Sequence, residues 1–431
     1  MGDLHRLIGQ AHRVSHRRPM MGASPTASRT MKTNRNGILL LAGDGLSAFG
    51  SWIDFLAILT LAAYQFHVSP YQMAAVSAAG LLPGILAAPA IGRWCDRANP
   101  QRILLLSIMA RVATTGAILF CRDYTVFIAL VGLRSVFATV APPAINVVAV
   151  RCIAPAERPR FYSVLNVLNN TAKVLAPAIG TVSSSLTSET VALGISLVFS
   201  AASACAFAFI RLAPAAEPGA AKPRPESIDP PNLLPLIWIG ATCAFFIFTV
   251  NNLVPLVLEQ SGFDKSLLGL LVSSSGAGNI LAGLWLARRP ASSAAPAGVG
   301  DLMRPAIFQA LGFGAIAGLL WLRPGPVAVL LPLSFFVIGS FSARYAIALN
   351  VHVSAHHAAS IGHVWGVLQA WQSAMIFVAP LVGAFVLDAL GPAPLFAFAT
   401  ASAALSFALF LALRSAGVPR FQASRLPLIS T

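Results

Sequence analysis

Charge is scarce in this chain: only 10% of its 431 residues are ionised types, and just 14 of those are acidic. A water-soluble domain of this length needs far more polar surface, so a soluble globular protein is excluded. Cysteine is sparse too. Cys95, Cys121, Cys152, Cys205 and Cys243 show no CxxC and no paired spacing. That excludes a disulfide framework and leaves them as small apolar filler. Phosphate-loop chemistry is also missing, because "SSSGAGN" (273–279) lacks both the lysine and the preceding strand such a loop requires. With no nucleophile–base arrangement and no metal-dependent catalytic motif, neither an enzyme nor a cofactor is expected. Residues 1–36 carry seven Lys or Arg but no apolar core, unlike a cleaved signal peptide.

What remains is apolar. Hydrophobic residues make up 57% of the chain, and its mean hydropathy is +0.76. A spanning helix needs roughly 20 apolar residues. Twelve such segments can be placed, at 38–66, 71–91, 103–121, 125–149, 161–183, 191–212, 233–258, 266–287, 304–322, 326–350, 362–387 and 393–414. The expected fold class is an all-α membrane protein. Its domains are an N-terminal tail (1–36), a six-helix bundle (37–212), a linker (213–232), a second six-helix bundle (233–414) and a C-terminal tail (415–431). The linker "APAAEPGAAKPRPESIDPPN" is rich in Pro, Ala and charge, as extended linkers are.

The net charge of +15 invites a nucleic-acid reading, but its placement argues otherwise. Only Arg122, Lys265 and Arg323 occupy odd-numbered connections, and Arg111, Arg134, Lys173 and Arg344 lie inside segments. The other 22 of the 29 basic residues sit in the tails and the even-numbered connections or, for Arg211, Arg304 and Arg414, at the segment ends adjoining them. That asymmetry follows the positive-inside rule and puts both termini in the cytoplasm of a cell bounded by this inner (plasma) membrane. The basic balance therefore reports topology, not nucleic acid.

The two halves repeat. "SVLNVLNNTAKVLAPAIG" (163–180) aligns with "GVLQAWQSAMIFVAPLVG" (366–383), and "GILAAPAIGR" (84–93) with "NILAGLWLAR" (279–288). Segment 5 thus pairs with 11, and segment 2 with 8. The loop "GRWCDRANPQR" (92–102) resembles motif A of the major facilitator superfamily, with Gly92, Asp96, Arg97 and Arg102 matching its G-x-x-x-D-R-x-G-R/K-R/K pattern. Asn99, Pro100 and Gln101 depart from it. "SAFGSW" (47–52) and "LLPGILAAPAIGRWCDR" (81–97) look like the drug- and siderophore-exporting branch, which includes macrolide, enterobactin and staphyloferrin exporters. "LAPAIG" (175–180) resembles the antiporter motif of helix 5, with Pro177 and Gly180 in place and Ala176 replacing a glycine.

This resemblance implies the major facilitator fold, two pseudo-symmetric six-helix bundles that alternate access by rocking. It also implies a conformational gate in which Asp96 faces the N-terminus of helix 11. Physics supports such a seat, since an anion at a helix N-terminus meets unpaired N–H groups and the positive end of the macrodipole. A neighbouring Arg is expected to pair with Asp96. The three departures remove usual basic partners, so a weaker or differently partnered gate is expected.

Charges inside spans are expensive and raise functional hypotheses. Asp44, Ser47, Ser51 and Asp54 form one stripe of segment 1, expected to face the central cavity. Asp54, lying deeper, is the leading proton-coupling candidate, with a fixed ion pair to Arg134 or Lys173 as its alternative. Asp44 is the second, with solvation near the cytoplasm as its alternative. Arg134, Asn166, Asn169, Asn170, Lys173, Gln369 and Gln372 are the candidate substrate-cavity residues, with packing hydrogen bonds as the plain alternative for the amides. Arg111 and Arg344 lie nearer the segment ends and are expected to snorkel. Four bases against two acids within the spans favour an anionic cargo. The histidines of "NVHVSAHHAASIGH" (350–363) are placed in a connection, without a metal role.

The expected function is a proton-coupled exporter of a small amphipathic or anionic molecule, such as a carboxylate siderophore or a drug. Expected partners are that small molecule, protons and lipid, with the chain a monomer. The alternatives are a lysophospholipid flippase or metabolite importer, and a non-transporting receptor or scaffold.

Overall fold

A computed structural model describes residues 35–66, 70–186, 189–212, 230–263, 266–289, 298–322, 327–416 and 418. Nearly all of the two tails, and residues 213–229 of the expected linker, lie outside them. Among the described residues the chain forms twelve helical paths. The first six are α1 (Arg35–Thr60), α2 (Pro70–Leu86, then Ala88–Arg97), α3 (Pro100–Leu119), α4 (Tyr124–Ala138, then Ala141–Cys152), α5 (Arg158–Leu186) and α6 (Glu189–Ala208). The last six are α7 (Pro230–Asn251, then Val254–Gln260), α8 (Ser266–Ala287), α9 (Val299–Leu322), α10 (Val327–His356), α11 (Ile361–Leu390) and α12 (Pro392–Ser415).

Among the described residues ten helices are long and apolar enough to cross a membrane, and the bent α2 makes eleven. The remaining path, α5, runs 29 residues but carries three Asn and a Lys. Its neighbours, not lipid, must accommodate that polar content.

Local chemistry explains the breaks. The two segments of α2 meet at 53° around Ala87, next to Pro89, whose ring cannot continue the hydrogen-bond ladder. Segment 4 divides at Thr139–Val140, ahead of Pro142 and Pro143, where one continuous helix was expected. At α3, Asn99 caps the helix by accepting from the Gln101 and Arg102 amides, and Pro100 fits the first turn. Gly391 sits at φ +90°, a left-handed conformation that suits glycine, and turns the chain from α11 into α12.

Packing follows the repeat. Between the halves, α5 packs on α8 and the second segment of α2 packs on α11. The repeat relates the two contacts, since segment 5 aligns with 11 and segment 8 with 2: Gly283 of α8 lies against Ser163 of α5, and Gly366 of α11 against Ala88 of α2. Small residues allow this approach. A Cβ on Gly92 would overlap the Gly362 carbonyl, and one on Gly366 would overlap the Ala88 carbonyl.

Candidate functional site: a buried charge cluster, a cavity edge and an inter-bundle latch

The polar stripe of α1 divides between two environments. Ser47, Ser51 and Asp54 point into the N-terminal bundle, where α3, α4 and α6 meet them. Asp54, 2% exposed, pairs through Oδ2 with Arg134 of α4, whose Nε donates at 2.7 Å. Thr115 of α3 donates to the same oxygen at 3.2 Å, and Ser196 of α6 donates to Oδ1 at 3.2 Å. Arg111 of α3, also buried, donates to Ser51 Oγ at 2.6 Å and to Ser47 Oγ at 3.4 Å. Its Nε has no partner. The expectation that this stripe faces the central cavity, with Arg134 beside it, is therefore corrected. The Asp54 carboxylate is fully ligated inside one bundle, which satisfies the burial of both charges. Arg111 does not snorkel: its side chain is buried and its guanidinium donates to the α1 serines.

Asp44, three residues before Ser47 and so nearer the start of α1, differs. It is half-buried and bridges to α5, where Asn169 Nδ2 donates to its Oδ2 at 2.9 Å. The one ion pair among the described residues is Arg134–Asp54, so Asp44 has no fixed countercharge. Two turns further along α1, Lys173 of α5 places its Nζ 5.8 Å from the Trp52 ring. Asn170 donates to the Asn166 carbonyl at 2.8 Å. Asn166 and its repeat partner Gln369 each keep a buried polar atom without a hydrogen bond. Gln372 and Tyr345 flank Gly240 of α7. Pro177 and Gly180 fall on α5 where side chains lie outside the described residues.

The third element joins the halves. Asp96, at the end of α2, accepts from the Gly362 amide through Oδ1 and from the His363 amide through Oδ2, each at 2.8 Å. These amides belong to the first turn of α11, whose N-cap residue Ser360 contributes no side-chain cap. One carboxylate therefore caps a helix of the opposite bundle, satisfying two orphan donors and the macrodipole together. Charge-assisted hydrogen bonds of this kind are the strong ones.

The expected Arg partners of Asp96 are not those nearby in sequence. Arg97 and Arg102 make no side-chain hydrogen bond or ion pair among the described residues, while Arg151 of α4 reaches the Asp96 carbonyl at 3.5 Å. Of the three departures from motif A, Asn99 and Pro100 start α3, and Gln101 donates to the Phe207 and Ile210 carbonyls at 3.0 and 2.6 Å. Gln101 thereby closes the end of α6.

Sequence reasoning missed Gly362, Gly366 and Arg158. The first two were visible as G-x-x-x-G in "GHVWG", a close-packing pattern. The histidine connection is also corrected: His352 and His356 lie on the last turns of α10, their rings stacked at 4.3 Å. Among the described residues no group of three His, Cys, Asp or Glu could hold a metal. Burial, with His352 and His356 alongside, pushes the His357 imidazole down to about 4. The folded chain thus binds fewer protons here than an exposed imidazole with a pKa near 6.5, and stability falls as pH drops from about 6.5 toward 4. Thermal unfolding at pH 7 and pH 5 should show a smaller loss for His357→Gln than for the parent.

Residues 40–380 match the family model of the Major Facilitator Superfamily. The chain belongs to that superfamily. It is accordingly a multi-pass membrane transporter. It is 27% identical over 274 residues to the uncharacterized MFS-type transporter YfiS of Bacillus subtilis (strain 168), covering 60% of this chain and 66% of that protein. In fold it is similar to the human organic anion transporter MFSD10 (TETRAN), with a TM-score of 0.68, 17% identity, and 87% of this chain and 98% of that one covered. A bacterial homologue of the iron transporter ferroportin, solved in an outward-facing state, gives 0.67 at 14% identity, covering 88% and 99%. At these identities the likeness is one of the major facilitator fold alone. Within that fold the latch sits at the end of the bundles that carries most Lys and Arg, hereafter the basic end.

Proposed function

We propose that this transporter is a proton-coupled exporter of a small amphipathic or anionic molecule, with its basic end in the cytoplasm. The observation that carries the coupling is Asp44: a half-buried carboxylate with an amide partner from α5 and no fixed cation. Such a group can take up a proton when its surroundings change. Asp54 is the weaker coupling candidate, because its carboxylate is already neutralised by Arg134. The closed basic end leaves the other end to admit protons and release cargo. Lys173, which has no carboxylate in ion-pair range among the described residues, favours an anionic cargo, and the likeness to an organic anion transporter agrees with that. A carboxylate siderophore or a drug fits both this chemistry and the exporter-like "LLPGILAAPAIGRWCDR".

A second reading has its own observation. An apolar groove of about 520 Å³ lies between α7, α11 and α12, with Trp238, Phe245, Trp371 and Met375 on its walls. It suits an acyl chain, as a lysophospholipid flippase would need.

The test is flux in liposomes of purified protein under an imposed pH gradient, with carboxylate siderophores, macrolides, cationic dyes and lysophospholipids as cargo. Gradient-driven movement that Asp44→Asn abolishes supports proton antiport. Movement that survives both gradient collapse and Asp44→Asn rejects it, and lysophospholipid as the sole cargo favours the flippase.

A further inference from the structure

The turn between α10 and α11 is gripped at both ends by the N-terminal bundle, and only one of those grips belongs to motif A. The second is Arg158, the first residue of α5 and 9% exposed. Its Nη1 donates across the bundle interface to the Ser354 carbonyl of α10 at 2.7 Å. Its Nη2 donates to the Val150 carbonyl at 3.1 Å, and its Nε to the Ile153 carbonyl at 3.3 Å. Ser354 lies in the last turn of α10, and Val150 and Ile153 lie at the end of α4. One guanidinium therefore gathers carbonyls from two helix C-termini, one in each half of the molecule.

The signs match. The C-terminus of a helix carries partial negative charge and unsatisfied carbonyls, which favour a cation there. Arg158 has no carboxylate in ion-pair range among the described residues, so these helix ends are its counterion. Six and seven residues past the end of α10, at Gly362 and His363, Asp96 supplies the opposite charge to the opposite kind of helix end. An anion thus holds the start of α11 while a cation holds the finish of α10. Arginine suits the second task and lysine does not, because three carbonyls in three directions need the planar fork of Nε and both Nη groups.

We propose that Arg158 is a positioning residue for transport: the cationic half of a charge-matched clamp that, with Asp96, holds the basic end closed. When the bundles part, Arg158 keeps Val150 and Ile153, which move with it, and loses Ser354. The cost of opening is then the unpaired charge-assisted bond at each grip, and the two grips act on one turn. This rests on the reading that the bundles alternate between two closed ends, and not on any cargo.

Spin labels at Ala156 and Ala359, both exposed and on opposite sides of the interface, report the separation of the basic end. Losing one charge-assisted bond should raise the open-to-closed ratio about tenfold in Arg158→Gln. A long-distance population should appear, with a smaller one in Arg158→Lys. Combined with Asp96→Asn, the two ratios should multiply. A lowered unfolding temperature with an unchanged distance distribution would mean that Arg158 merely caps α4, and overturns the proposal. Where Arg158→Gln does not accumulate, the distances of Arg158→Lys decide in the same way. Because this readout needs no cargo, a distance shift in a protein that moves none of the tested molecules keeps the clamp and rejects the export reading.

Discussion

Replacing Asp96 by Asn should convert a transporter resting closed at its basic end into one resting open there. The carboxamide keeps one acceptor, but its NH2 group meets an amide N–H where Asp96 offered a second lone pair. Two charge-assisted bonds and a favourable anion–macrodipole contact are lost together. On ordinary magnitudes that is about 2–3 kcal/mol of the closed state, a rise of roughly 30- to 150-fold in the open-to-closed ratio. Cys95, adjacent to Asp96 and fully buried, reports the change. Its labelling by a thiol reagent added at the basic end should accelerate in Asp96→Asn by at least tenfold, while Cys205, already exposed, labels as before. Equal rates for Cys95 in both proteins would remove the latch from the account.

Asp54 predicts a different kind of failure. The cluster around it holds two guanidiniums and one carboxylate, so its two single neutralisations are not equivalent. Arg134→Gln leaves Asp54 with Arg111 as the remaining nearby cation. Asp54→Asn leaves Arg111 and Arg134 buried together with no anion, and uncompensated buried charge costs about 3–5 kcal/mol. Asp54→Asn should therefore unfold at a clearly lower temperature than Arg134→Gln, which should itself fall below the parent. Thermal unfolding in detergent measures the order. Parent-like stability of Asp54→Asn together with lost gradient coupling would return Asp54 to the role of proton carrier and displace Asp44.

Much of the architecture is written in the hydropathy pattern, because lipid forces each backbone polar group into a helix and each helix to a similar length. The repeat offsets went further: they made α5 equivalent to α11 and α2 to α8, so the contact of α5 with α8 has its counterpart in that of α11 with α2. The latch was legible for a similar reason: an Asp in a basic loop next to Gly92 is expensive to explain otherwise. Direction was harder. The 3-4-3 spacing of Asp44, Ser47, Ser51 and Asp54 fixes a common face of α1 but says nothing about which neighbours that face meets. Arg111 and Arg134, on other helices, decided that the lower part of the stripe faces inward. Arg158 was hidden for a further reason. Its partners are backbone carbonyls, which every residue has, so no sequence pattern marks them, and in the connection it counted as one more basic residue. Asn99 and Gln101 read as losses from motif A, yet each has a helix end to satisfy.

On the proposed mechanism the two ends of the bundle pair close in alternation, and the Asp96 seat sets which end rests closed. Two label pairs in one membrane preparation test it: Ala156 with Ala359 at the basic end, and Phe120 with Leu390, both strongly exposed, at the other. The account predicts that Asp96→Asn lengthens the first distance and shortens the second, in the same fraction of molecules. Two unchanged distances, or two that lengthen together, would contradict it.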